Sequence, residues 1–266
     1  MDYKRAILAV SFGTSCKGAM AAIEAAEKSF GAAFEEYEVR RAFTSERIIA
    51  KLKARDWTET DNVPRALEKL AGEGYSDIVV QPTYIINGYE YELMREQVYG
   101  YRDRFETMCI GTPLLTYDSD YERLAEVMAE AAPQLTDDGT AAVFVGHGTE
   151  HCANSAYAAL AYRLNARGHK NCFVGTVEAF PDIEDVKSRL RISGAKRVIL
   201  KPLLMVAGEH ALNDICGSGE GSWLTELEAE GYEVICERRG LGEYEGVRAI
   251  FADHIRMAIG DHKSNG

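Results

Sequence analysis

Short apolar runs alternate along this chain with longer stretches in which apolar positions recur every three to four residues. The first pattern predicts buried strands and the second amphipathic helices. Residues 5–12 (RAILAVSF) predict a strand, the Ala-rich 17–30 a helix, 36–41 a second strand, and 46–54 and 63–71 helices. Residues 77–81 predict a third strand stopped by Pro82, followed by a helix over 90–102, a fourth strand over 107–111 and a helix over 120–132. The cycle then restarts with strand 141–146, helix 153–166, strand 171–176, helix 183–192 and strand 197–201, stopped by Pro202. Helix 223–230, strand 233–236 and a closing helix over 244–259 complete it. Strands separated by helices of this length need right-handed crossovers, which predicts an α/β fold with parallel sheets.

The two halves resemble each other. Val10-Ser11-Phe12-Gly13-Thr14 aligns with Val145-Gly146-His147-Gly148-Thr149. Ile78-Val79-Val80-Gln81-Pro82, followed by Gly88, aligns with Val198-Ile199-Leu200-Lys201-Pro202, followed by Gly208. The pattern implies an internal duplication into two similar α/β lobes facing each other. The expected division is 1–125, 126–242, and a closing segment 243–266 that packs back on the first lobe.

The length of 266 residues suits one large domain or two small ones, and 46% apolar with 27% charged residues excludes a disordered chain. A formal net charge of −12 argues against nucleic acid and against an anionic membrane surface as partners. No apolar run reaches the roughly 18 residues of a membrane span, and the start reads as a strand rather than a signal peptide, so a cytoplasmic protein is expected. Six cysteines lie scattered without a C-x-x-C pair, which is neither a zinc nor a thioredoxin pattern.

Ligands of open parallel sheets bind beyond the carboxyl ends of the strands. His147 directly follows strand 141–146, Glu178 lies two residues beyond strand 171–176, and His210 lies on the loop after strand 197–201. In the first half Glu90 occupies the place equivalent to His210. Two imidazoles and a carboxylate suit a borderline divalent ion such as Co²⁺, Fe²⁺, Ni²⁺ or Zn²⁺. Each residue also has a plainer reading. His147 beside glycines can simply bond the backbone, and Glu178 can be an ordinary loop charge. His151 could pair with His147 on a helix, although Gly148 places His147 ahead of it. His169, His254 and His262 read as solvated or capping, and Asp182 or Asp185 as caps of the following helix. The GSGEG run at 217–221 lacks a Walker lysine and reads as a loop; no G-x-S-x-G elbow is present. Tyr84, Tyr89, Tyr91, Tyr99 and Tyr101 suit either stacking on a flat aromatic ligand or a partly buried helix face.

Gly146-His147-Gly148-Thr149-Glu150-His151, Gly175-Thr176-Val177-Glu178-Ala179-Phe180-Pro181 and the segment from Leu204 to Asp214 closely resemble the anaerobic sirohydrochlorin cobaltochelatases. Ser222-Trp223 and Gly240-Leu241-Gly242-Glu243 extend the resemblance towards the end of the chain. It implies two lobes, each a four-stranded parallel sheet flanked by helices, and insertion of Co²⁺ into sirohydrochlorin or a precorrin-2-type tetrapyrrole on the way to cobalamin. ATP and organic cofactors are not implied, and Fe²⁺, Ni²⁺ or Zn²⁺ are alternative metals in vitro. Carried over by position, the metal ligands are His147, Glu178 and His210, and the catalytic residues His147, Glu178 and Glu90. Ser11, Thr14, Tyr89 and Arg41 are candidate substrate contacts, with Arg40, Arg47 and Lys201 as further cations for the substrate's carboxylates. A homo-oligomer is compatible with all of this. Imidazoles must be neutral to bind metal, so activity is expected to fall as pH drops through the ordinary imidazole range near about 6.5. The competing expectations are a ferrochelatase for sirohydrochlorin or porphyrin, a non-catalytic tetrapyrrole or metal carrier, and a sugar- or phosphate-binding α/β protein with no metal dependence.

Overall fold

A computed structural model describes residues 4–56, 59–132, 139–209 and 211–265. The first repeat runs β1 (Lys4–Ser11), α1 (Lys17–Ala33), β2 (Glu38–Phe43), α2 (Glu46–Asp56), α3 (Val63–Gly72), β3 (Tyr75–Pro82), α4 (Tyr89–Tyr99) and β4 (Thr107–Ile110). The second runs α5 (Asp118–Glu130), β5 (Thr140–Gly146), α6 (Ser155–Ala166), β6 (Cys172–Thr176), α7 (Ile183–Ser193), β7 (Arg197–Pro202), α8 (Trp223–Ala229) and β8 (Glu233–Cys236), and α9 (Glu245–Asn265) closes the chain. Ala6 to Val10 of β1 and all of β5 are buried. A strand covered by helices on both faces reads as a continuous apolar run rather than an alternation.

The strands form two four-stranded sheets in the orders β2-β1-β3-β4 and β6-β5-β7-β8, parallel throughout. The same order in both halves is the duplication expressed as topology. In each sheet the chain leaves the first strand of the repeat to one side and returns on the other. That reversal opens a crevice at the carboxyl ends, beside β5 and β7 in the second sheet.

By contact the chain divides into Met1–Thr116 with Val247–Gly266, and Tyr117–Gly246. The expected boundary at residue 125 lies inside α5, and the whole of that helix goes with the second unit. Arg163 of α6 pairs there with Asp118, and with Glu122 at 3.0 Å. From Val247 onward α9 belongs to the first unit: His254 Nδ1 lies 3.1 Å from the Thr112 carbonyl oxygen, and the Arg256 guanidinium lies 5.3 Å from the centre of the Phe34 ring.

Helix ends follow local chemistry more than apolar period. Asp182 caps α7 by accepting from the N–H groups of Glu184 and Asp185, and Asp185 returns a bond to the Asp182 N–H. The helix expected over 90–102 stops at Tyr99, and a 3₁₀ turn, Arg102–Arg104, follows Gly100. A one-turn π-helix at Ala211–Ile215 carries no periodic signal in the sequence. Among the described residues no helix is long and apolar enough to cross a membrane.

Candidate active site

The carboxyl ends of β5 and β6 continue their pairing beyond the strands. The Val177 N–H donates to the Gly146 carbonyl at 3.0 Å, and the Glu178 N–H to the His147 carbonyl at 2.9 Å. These bonds fix the backbones of His147 and Glu178 side by side. The approach is possible because residue 148 is glycine. Its φ is +85°, and a Cβ there would lie 2.9 Å from the Ala179 nitrogen and from Thr176 Cβ.

Other side chains hold the two loops. Thr176 donates its hydroxyl to the Ala179 carbonyl at 2.5 Å, and its N–H to the Pro181 carbonyl at 2.7 Å. Asn154 joins the loops: its Oδ1 accepts from the Thr149 N–H at 3.1 Å, and its Nδ2 donates to the Phe180 carbonyl at 2.5 Å. Beneath them lies the buried ring of Tyr157, where a Cβ on Gly146 would come within 2.4 Å of Cε1. Burial pushes the Tyr157 phenol up to about 12, and a hydrogen bond from the Gly148 backbone opposes that rise. Tyr157 is therefore a neutral phenol at physiological pH, holding the backbone one residue beyond His147.

His147 Nδ1 lies 3.1 Å from the Gly148 carbonyl oxygen and 3.5 Å from Glu178 Oε2. Both neighbours only accept, so Nδ1 carries the proton and the lone pair of the neutral ring sits on Nε2. A carboxylate on the N–H side of an imidazole orients the ring and raises the basicity of the other nitrogen, as in metal sites where histidine is held from behind. Both side chains reach solvent, at 39% exposure for His147 and 57% for Glu178.

His151 has the opposite tautomer. Its Nδ1 accepts from the Ala153 N–H at 3.1 Å and caps the 3₁₀ turn Cys152–Asn154, so the lone pair is used in capping. His210 lies outside the described residues. The strand leading towards it, β7, continues into a segment held from the far side, where the Leu241 N–H donates to the Leu204 carbonyl and the Gly242 N–H to that of Met205. A Cβ on Gly240 would meet the Met205 oxygen at 2.7 Å. The Gly-Leu-Gly motif is thus a brace for the loop after β7. Trp223 plays a similar part under β6, where its ring leaves no room for a side chain at Gly175. Ser222 caps α8 by accepting from the Thr225 N–H.

Beside these loops the second unit has a cavity of about 250 Å³, lined by Val177, Asp182, Asn213, Asp214, Glu220 and Trp223 among others. Among the described residues no three His, Cys, Asp or Glu side chains converge as a metal cluster.

In the first unit, Tyr89 and Glu90 begin α4, and both are exposed. Glu90 lies near the half-buried phenol of Tyr84, whose ionisation is suppressed by desolvation, with the charge of Glu90 adding to the effect. Ser11 and Thr14 are buried, and Thr14 Oγ1 accepts from the Cys16 N–H at 3.2 Å, shaping the turn into α1. Arg41 is held by Glu27 through two bonds of 2.6 Å. Arg40 pairs with Glu38 and Glu73, and buried Lys201 pairs with Glu237. Of the cations picked out by the sequence, Arg40, Arg41 and Lys201 are therefore engaged with acidic side chains. Asn154 and Tyr157 carry no motif in the sequence because their partners are backbone groups of the loops after β5 and β6; only the helix start that follows the strand hints at them.

Solved structures of chelatases share this fold. The solved structure of SirB from Bacillus subtilis with Fe³⁺ matches over 98% of both chains with a TM-score of 0.71 at 15% identity. CbiX, a terminal enzyme of sirohaem biosynthesis in denitrifying bacteria, matches 96% of this chain and 99% of its own with a TM-score of 0.57 at 19% identity. Within that class the chain belongs to the cobalt chelatase (CbiK) family, whose model matches residues 5–260. It is 38% identical to the sirohydrochlorin cobaltochelatase of Salmonella typhimurium over 96% of this chain and 97% of the relative. It is 35% identical to sirohydrochlorin cobaltochelatase CbiKC of Nitratidesulfovibrio vulgaris over 96% of this chain and 91% of the relative.

Proposed function

We propose that this chelatase inserts Co²⁺ into sirohydrochlorin or a closely related reduced tetrapyrrole, with His147 and His210 as metal ligands and Glu178 and Glu90 as proton acceptors. The observation that carries the reading is the His147 ring, whose Nδ1 lies between a carbonyl oxygen and a carboxylate. Full-length similarity to two sirohydrochlorin cobaltochelatases supplies the substrate class.

Insertion meets three obstacles: the ion must shed water, the ring must expose its nitrogen lone pairs, and two pyrrole protons must leave. Neutral His147 replaces water on Co²⁺ through Nε2, and His210 does the same from the loop after β7. Two protein nitrogens leave the remaining coordination positions to water and then to the ring nitrogens, as release of the ion into product demands. Glu178 first orients His147 and offsets the dication's charge, then takes a ring proton; general-base help of this kind is typically worth about 10²–10⁴ in rate. Glu90, exposed in the first turn of α4, is the second acceptor. Tyr89 beside it offers an exposed aromatic face to the macrocycle. The same donors accept Fe²⁺, Ni²⁺ or Zn²⁺ in vitro, with no need for ATP or an organic cofactor. All six cysteines are free thiols, which suits a reducing cytoplasm.

Sirohydrochlorin and Co²⁺ mixed with the protein at catalytic concentration should show an accelerated absorbance change through many turnovers. His147→Ala and His210→Ala should each abolish it while leaving the circular dichroism unchanged. Wild-type rates in both variants would refute the ligand assignment, and a single stoichiometric change would mark a carrier. Faster turnover with Fe²⁺ than with Co²⁺ would move the proposal to a ferrochelatase.

A further inference from the structure

The junction that fixes His147 and Glu178 recurs in the first unit, bond for bond. At the ends of β1 and β2 the Thr44 N–H donates to the Ser11 carbonyl at 3.0 Å, and the Ser45 N–H to the Phe12 carbonyl at 3.2 Å. These are the counterparts of the bonds from Val177 to Gly146 and from Glu178 to His147. Gly13, like Gly148, has a positive φ, here +97°, and a Cβ on it would lie 2.7 Å from Cδ2 of buried Phe43. By this register Phe12 holds the position of His147, and Ser45 that of Glu178. Neither is left as a metal donor: Ser45 Oγ accepts from the Ile48 N–H at 3.3 Å at the start of α2, and a phenyl ring has no lone pair.

Phe12 nevertheless faces solvent, at 48% exposure, between buried Ser11 and Gly13. Of the nine phenylalanines, all of them among the described residues, only Phe12 and Phe180 are exposed. Phe180 also follows the carboxyl end of a strand, in the loop after β6. A single exposed apolar side chain is ordinary on a protein surface. Phe12 differs in standing at the ligand-binding edge of a parallel sheet, on backbone that two bonds and a crowded glycine keep from turning inward.

We propose that Phe12 is a substrate contact whose ring packs against the face of the conjugated macrocycle. The proposal rests on the reading of the protein as a tetrapyrrole chelatase and names a residue that recognises the ring rather than the ion. The repeated junction then serves two ends, metal binding through His147 and ring recognition through Phe12. A phenyl group offers neither charge nor hydrogen bond to the substrate's carboxylates. It gains by stacking on, or meeting edge-on, a flat π-system, beyond the area it buries.

Titrating metal-free sirohydrochlorin into the full-length protein, followed by the absorbance of the macrocycle, tests this apart from chelation. Phe12→Ala should weaken binding about tenfold and raise KM for sirohydrochlorin by a similar factor. Its affinity for Co²⁺ alone and its circular dichroism should stay as in the wild type. Phe12→Tyr, which keeps an aromatic face, should restore macrocycle affinity. Ile192→Ala removes a still more exposed apolar side chain, at 86%, from the end of α7 that leads into the start of β7, and should leave affinity unchanged. Wild-type macrocycle affinity in Phe12→Ala, a loss that Phe12→Tyr does not restore, or an equal loss of Co²⁺ affinity would each overturn the contact and leave the chelatase reading standing. A wild-type protein that fails to bind sirohydrochlorin would refute that reading, and the contact with it.

Discussion

One carbonyl oxygen decides what the ring of His147 can do. Had Nδ1 faced an N–H group, the lone pair would point back at its own backbone, as it does in His151 four residues on. Two histidines in one hexapeptide thus take opposite tautomers and opposite jobs. The sequence revealed the position of His147, because a histidine directly after a buried strand lands at the carboxyl edge of a parallel sheet. Its tautomer was not visible, because Glu178, thirty-one residues away, helps to set it. The engagement of Arg41 with Glu27 was hidden for the same reason: charge is written in the chain, but the partner is set by packing. Glu178→Gln keeps the shape of the side chain and removes both its charge and its capacity to take a proton. Loss of orientation alone typically costs about 10–100-fold in metal affinity or activity. Loss of the base costs about 10²–10⁴-fold in rate. Stopped-flow turnover set against Co²⁺ affinity from titration separates the two roles. We expect a rate loss exceeding the affinity loss; equal losses would leave Glu178 as an orienting group only.

At the scale of elements, the site is a junction between the ends of β5 and β6, and its closeness depends on Gly148. Replacing it with alanine puts a side chain at φ +85° and drives a Cβ to 2.9 Å from backbone of the β6 loop. Positive φ and overpacking together cost about 2–4 kcal/mol. The loop bonds, Glu178 N–H to His147 carbonyl among them, must then lengthen. Gly148→Ala should lower the urea midpoint and reduce turnover well beyond what a surface mutation does, whereas Gly168→Ala, also at positive φ but with open space around it, should cost stability without touching turnover. Equal turnover in the two variants would refute the junction. The inner strands β1, β5 and β7 were readable because burial on both faces leaves uninterrupted apolar runs. Helix ends were less so: the helix expected from residue 153 opens as the 3₁₀ turn Cys152–Asn154, imposed by the His151 cap. The π-turn Ala211–Ile215 has no period to announce it.

For the whole molecule, the duplicated motifs carry more information than any single one, since a repeated Pro-to-Gly interval can only persist if the strand before it repeats. The identical strand orders of the two sheets bear this out. The last helix breaks the symmetry of the two units, for it follows the second unit in sequence and belongs to the first by contact. Val247, Ile250, Phe251 and Ile255 are all at 0% exposure. Burying side chains of that size contributes about 1.5–3 kcal/mol each. Their combined share rivals the total stability of a typical domain, about 5–15 kcal/mol. A chain ending at Gly246 should therefore lose hydrogen-exchange protection in β1 and β3 while keeping it in β5 and β7, although the cut lies next to the second unit in sequence. The partner that His254 leaves behind, the Thr112 carbonyl, would lose its bond in the same experiment. Protection lost first in β5 and β7 would mean that the helix holds the second unit instead, and protection unchanged in both would mean that its apolar face contributes little to either.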